Sequence, residues 1–158
     1  PITINLVISN NKKANGLRYA KKYKIPNIYI NTKNRLYENK ILFNLKKYNI
    51  SFICLAGFMK IISKNLIKNY QKKIINIHPS LLPKFKGLNT FSKILKNKEK
   101  KTGCTVHYVD EKLDNGKIIS QKSFFISTKD DEEKLKNKTQ KLEYLVFPES
   151  IIKIFQNN

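Results

Sequence analysis

From Thr3 to Ile77, apolar runs of strand length alternate with amphipathic runs of helix length, and this alternation limits the possible folds more than any other feature of the sequence. Thr3 to Ser9 (TINLVIS) is rich in β-branched residues and ends at Asn10-Asn11, the pattern of a strand entering a turn. Asn15 to Lys24 follows as a helix, with Leu17, Ala20 and Tyr23 at helical spacing and Pro26 as its stop. Asn27 to Ile30 reads as a short second strand. Tyr37 to Tyr48 sets Ile41, Leu42, Leu45 and Tyr48 on one helical face. Ser51 to Ala56 (SFICLA) is continuously apolar before Gly57, which predicts a strand covered on both faces. A helix over Lys64 to Tyr70 and a strand over Lys73 to Ile77 complete the series. The expected class is α/β, a doubly wound and mostly parallel sheet. Such sheets bind ligands at the carboxyl ends of their strands, here just after Ala56 and just after Ile77.

The second half changes character. Thr102 to Val109 (TGCTVHYV) and Ile118 to Ile126 are strand-like and flank a turn-rich Asp110 to Lys117, so an antiparallel edge pair is expected, with the turn projecting over the sheet. A charged amphipathic helix begins at Asp130. Asp130, Asp131, Glu132 and Glu133 suit its positive end, Leu135, Leu142 and Leu145 face inward, and Pro148 is expected to break or kink it before Ile151 to Phe155. No repeat or linker interrupts the chain. Its 158 residues, 41% of them hydrophobic, suffice for one core, and residues 1–158 read as a single domain.

Composition excludes several classes. No run of 18 apolar residues occurs, and the opening PITINLVISN has neither the basic flank nor the cleavage site of a secretory signal, so a soluble, cytoplasmic protein is expected, with no membrane partner. Cys54 and Cys104 lie inside apolar runs and read as reduced, buried thiols, with no metal or redox chemistry. The net charge of +21 raises the possibility of a basic module that binds RNA or another polyanion. Nearly all of that charge is lysine, with Arg18 and Arg35 the only arginines, and base readers rely on arginine forks while single-strand binders interleave aromatics. Lys21, Lys22, Lys46, Lys47, Lys72 and Lys73 fall on polar faces, which favours a solvated surface able to steer anionic substrates.

The chemistry concentrates in INIHPSLLPKFKG, Ile75 to Gly87. Asn76 and His78, two apart at a strand end, point to one face and bring an amide and an imidazole into one cleft. Pro79 and Pro83 stiffen the loop beyond. An amide N–H can stabilise oxygen charge as a carbonyl becomes tetrahedral, and imidazole exchanges protons near neutral pH, which together suit acyl transfer to a nucleophile supplied by the substrate. Asp114, in the turn DEKLDNG, can orient the imidazole or stabilise its charged form, although alone it reads as a turn former. His107, inside TVHYV, reads as a structural histidine.

NIHPSLLPKFKG, preceded by LAGFMKIIS and followed by GCTVHYVDEKLDNG, resembles the folate-dependent formyltransferases in order and spacing, from Ile4 onward. The resemblance implies a Rossmann-like formyltransferase fold and transfer of a formyl group from 10-formyltetrahydrofolate to the amine of glycinamide ribonucleotide, in purine synthesis. It implies that Asn76 polarises the formyl carbonyl, His78 assists proton movement, and Asp114 holds the histidine. The folate would lie against Leu55, Met59, Lys60, Ile61 and Ile62, with contacts from Asp110, Glu111 and Leu113; Lys60 stands where many members have arginine. Arg35 and Glu143 match substrate-binding positions, Glu143 near the amine. No metal is implied, and a monomer or homodimer is expected.

Two other branches fit less well. Deformylases usually read His-His-Ser-Phe-Leu-Pro where this sequence has His78-Pro79-Ser80-Leu81-Leu82-Pro83. Methionyl-tRNA formyltransferases usually carry glycine in place of Pro79 and arginine in place of Lys86. Asn89-Thr90-Phe91 departs from a stretch that contains histidine in many members. The sequence opens at what corresponds to the family's second strand, so the resemblance also implies a preceding strand and glycine-rich phosphate turn of about 20 to 30 residues.

Overall fold

The computed structural model describes residues 2–156; Pro1, Asn157 and Asn158, the ends of the span assigned to one domain, lie outside the described residues. Two compact units divide the chain, the first running to Phe52 and the second starting at Ile53.

The first unit contains β1 (Val7–Ser9), α1 (Asn15–Lys22), β2 (Asn27–Tyr29) and α2 (Tyr37–Lys47). β1 and β2 pair in parallel, with Val7 opposite Asn27. Leu17 and Ala20 of α1 are buried, as their helical spacing predicts, but Tyr23 is 65% exposed. The helix ends because Lys24 takes a left-handed φ of 56° ahead of Pro26. Both strands are shorter than their apolar runs, because each is limited to the three residues that find a partner.

The second unit contains β3 (Ile53–Ala56), α3 (Lys64–Asn69), β4 (Ile74–His78), α4 (Thr90–Lys96), β5 (Lys101–Tyr108), β6 (Ile118–Phe125) and α5 (Glu132–Gln156). Its sheet has the order β3-β4-β5-β6. β3 pairs with β4 in parallel, while β4 with β5 and β5 with β6 are antiparallel. The fold is α/β with mixed sheets. β4 is flanked on both sides, and Ile74, Ile75 and Ile77 are buried with Val106 and Cys104 of β5.

Two features of this unit differ from the sequence expectation. β3 is an edge strand and one of its faces lies open: Cys54 and Ala56 are exposed where a strand covered on both faces and a buried thiol were expected. Cys104 is buried, and burial pushes its thiol up to about 12. α5 runs unbroken through Pro148. The proline ring is exposed, packing continues through buried Val146, Ser150 and Ile154, and the Ser150 hydroxyl donates to the Val146 carbonyl at 2.7 Å. Leu145, expected inside, is 58% exposed.

Register determines where the polar groups go. β4 and β5 align Asn76 with His107 and His78 with Thr105, so these four side chains share one sheet face. α5 packs on the other face. There Lys122, the partner of Cys104, reaches Glu149 at 2.7 Å, and Lys138 lies over the Phe124 ring. Among the described residues, no helix is long and apolar enough to cross a membrane.

Candidate active site

On the face of the sheet opposite α5, four polar side chains form a connected cluster. Asn76 Nδ2 lies 3.3 Å from His107 Nε2, and His107 Nδ1 lies 2.9 Å from the Tyr108 carbonyl oxygen. His78 Nδ1 stands 3.3 Å from Asp114 Oδ2, while Asp114 Oδ1 stands 3.7 Å from His107 Nε2. His78 is 5% exposed and His107 only 2%. Burial is the largest influence on His107 and holds its imidazole below the usual value, against the opposing pull of the Tyr108 carbonyl and the Asp114 carboxylate.

Asp114 comes from far along the chain. It reaches the cluster because its backbone takes a left-handed φ of 47°, in a turn that folds back on β5. The turn closes through Tyr108 N–H donating to the Lys117 carbonyl at 2.9 Å, and Gly116 sits so close to the Tyr108 backbone that any Cβ would overlap it. On the other side, Asp114 Oδ2 accepts the Gly87 N–H at 2.8 Å, and Asn115 accepts from Lys86 Nζ at 2.7 Å. The turn is thus tied to the loop after β4.

That loop is pinned in its turn. Thr105 Oγ1 donates to the Ser80 carbonyl at 2.6 Å and accepts from the Leu82 N–H at 3.0 Å, while Gln121 Nε2 donates to the Leu82 carbonyl at 2.9 Å. Ser80 Oγ donates to the Lys84 carbonyl at 2.6 Å. Phe85 and Gly87 both have left-handed backbones, and the Phe85 carbonyl faces His78 Nε2 at 2.9 Å. Each ring nitrogen of His78 therefore faces an acceptor. A neutral ring can donate to one of them, and a cationic ring to both.

The structure brings Asn76, His78 and Asp114 together, as the sequence reading expects. It adds His107, which that reading left as a structural histidine. The signal was present: TVHYV paired antiparallel to INIH puts His107 opposite Asn76, but only once the register is known. Of the expected folate positions, Leu55 is half-buried in β3, Met59 is 66% and Ile61 75% exposed, and Lys60 and Ile62 lie in the same segment. Asp110, Glu111 and Leu113 lie in the turn that carries Asp114. The turn and the segment before α3 approach each other, since Glu111 pairs with Lys64 at 3.1 Å, and the Leu113 side chain borders Gly87. Exposed Met59, Ile61, Leu88 and Leu113 thus belong to loops that adjoin one polar cluster.

The two expected substrate residues belong to other elements. Arg35 is an exposed residue of a turn in the first unit. Glu143 is on α5, within electrostatic reach of Cys104, whose side chain points away from the face carrying Thr105 and His107. Burial pushes its carboxyl up to about 7. Among the described residues, no group of three or more histidine, cysteine, aspartate or glutamate side chains is placed to hold a metal ion.

A family model described as formyl transferase matches residues 2–151. The chain belongs to the formyl transferase family. Among curated proteins, this formyl transferase chain is 43% identical over 152 residues to the trifunctional purine biosynthetic protein adenosine-3 of Drosophila pseudoobscura pseudoobscura, an alignment covering 94% of the chain and 11% of that protein. The human protein of the same name is 38% identical over 154 residues, with 94% of this chain and 15% of that protein covered. The chain therefore spans a small part of those relatives' length. Among solved structures, phosphoribosylglycinamide formyltransferase from Anaplasma phagocytophilum superimposes with a TM-score of 0.93 at 39% identity, covering 98% of this chain and 76% of that one. The enzyme of the same name from Bacillus halodurans gives 0.92 at 35% identity, with 98% and 81% covered.

Proposed function

We propose that the formyl transferase chain catalyses transfer of a formyl group from 10-formyltetrahydrofolate to the amine of glycinamide ribonucleotide, in the cytoplasm. The observation that carries this reading is the cluster of Asn76, His78 and Asp114 on one sheet face, within a chain of this family. The amine attacks the formyl carbon, and the new carbon–nitrogen bond places negative charge on the formyl oxygen. An Asn76 N–H donates to that oxygen as the charge develops. The amine loses a proton, the old bond to the folate nitrogen breaks, and that nitrogen gains a proton, so the step is redox-neutral. His78 and Asp114 carry the proton between the two nitrogens. For this, one ring nitrogen of His78 exchanges its present acceptor for substrate, which fits the tightening of acid–base contacts on substrate binding.

The flat, partly apolar folate fits half-buried Leu55 and Ile62 and exposed Met59, Ile61 and Leu113, with polar contacts from Lys60, Asp110 and Glu111. Arg35 and Glu143 are assigned to the ribonucleotide by the family resemblance alone, and burial pushes the Glu143 carboxyl up to about 7. The net charge of +21 favours the approach of both anionic substrates. Product analysis with the full-length protein tests the reading: formylated ribonucleotide and tetrahydrofolate appear in equal amounts. Formate released without formylated product would mark a hydrolase instead.

A further inference from the structure

We infer that His107 is a positioning residue that fixes which end of the Asn76 amide faces the reacting carbonyl. The inference deepens the proposed formyl transfer and rests on that reading.

A carbonyl oxygen can only accept a hydrogen bond. The Tyr108 carbonyl oxygen lies 2.9 Å from His107 Nδ1, so Nδ1 carries the ring proton. In the neutral ring Nε2 then has a lone pair and accepts. Its partner at 3.3 Å is the Asn76 amide, which must therefore turn Nδ2–H toward it. The amide is no longer free to swap its ends, because the swapped form would set Oδ1 against the Nε2 lone pair. One N–H of the amide goes to His107, and the other stays on the same nitrogen for the formyl oxygen. Without the imidazole acceptor, the amide can rotate and offer Oδ1, which repels a developing oxyanion instead of stabilising it.

The surroundings support this tautomer. Asp114 Oδ1 pulls toward a proton on Nε2 but stands 3.7 Å away, beyond a hydrogen bond, while Asp114 Oδ2 accepts the Gly87 N–H at 2.8 Å and faces His78 at 3.3 Å. His107 is 2% exposed near the end of β5, and burial acts against a second ring proton. The cross-strand pairing of Asn76 with His107 holds the two backbones in register, so the geometry is set by the sheet rather than by a mobile loop.

Two measurements on the full-length protein test the inference. In the first, His107→Phe keeps a buried ring but removes the acceptor. Turnover should fall roughly 10- to 100-fold with little change in folate affinity, because the lost interaction acts in the transition state. In an Asn76→Ala background the same substitution should cost about nothing further, since the amide it orients is gone. A wild-type-like turnover for His107→Phe, or an equal loss in both backgrounds, would overturn the inference. In the second, nitrogen-15 NMR of the wild-type protein reads the tautomer and applies even where His107→Phe fails to fold. A protonated Nδ1 and a bare Nε2 coupled to the Asn76 amide nitrogen are expected. A proton on Nε2 would overturn the inference. Wild-type protein that transfers no formyl group would instead defeat the functional reading, while the tautomer still decides how Asn76 is oriented.

Discussion

Asp114 faces two histidines and a loop amide at once, so its charge acts on more than one contact. Its carboxylate lies 3.3 Å from His78, 3.7 Å from His107 and 2.8 Å from the Gly87 N–H. Asp114→Asn keeps the shape but removes the carboxylate that faces both imidazoles, and turnover should drop while the fold persists. His78→Ala should lower turnover by about 100- to 10,000-fold, the usual contribution of a positioned acid–base group. In the proposed mechanism the two act on one proton, so the double variant should lose far less than the product of the single losses. Steady-state rates of the two single variants and the double variant check this, and full multiplication of the losses would show independent roles. Asn76 and His78 were legible in the sequence because a strand end two residues apart forces a shared face. His107 was not, because its role depends on a cross-strand register that no local pattern reveals.

Among the elements, α5 and β3 show where local pattern and tertiary context part. α5 was legible from its acidic start and apolar spacing, yet Pro148 did not end it, because buried Val146 and Ser150 bracket the proline and hold the helix together. β3 reads as a strand covered on both faces from composition alone, but Cys54 and Ala56 leave one face exposed. α4 had no signature in the sequence: Asn89 at its start takes a left-handed φ of 57° and makes no side-chain cap. α5 also carries a test of electrostatics. Glu143 is raised from 4.5 to about 7 by burial, so the folded state binds its proton more tightly than the unfolded chain. The stability this contributes is fully present below about 4.5 and is lost as the pH rises through about 7. The change is at most about 3 kcal/mol, and less where solvent reaches the carboxyl. Thermal unfolding across this range should show the decline in the wild-type protein and a flatter profile in Glu143→Gln; matching profiles would place the shift elsewhere.

At the scale of the whole molecule, the α/β class was legible because strand-length and helix-length apolar runs alternate, whereas the division at Phe52 leaves no compositional mark. The charge of +21 is a property of the entire surface and gives a further expectation. Binding to random oligonucleotide should be weak and should fall steeply with salt, since it rests on counterion release from phosphates. A salt titration of affinity measures this, and tight binding that survives about 0.15 M salt would favour a polyanion-binding module. The central claim joins the cluster to the reaction, and one measurement addresses it most directly: single-turnover formyl transfer by full-length wild-type and Asn76→Ala protein, with folate affinity determined in parallel. The account predicts a transfer rate roughly 100-fold or more lower in Asn76→Ala at nearly unchanged folate affinity, because the amide acts mainly on the developing oxyanion. A wild-type rate in Asn76→Ala, or a loss explained entirely by weaker folate binding, would contradict it.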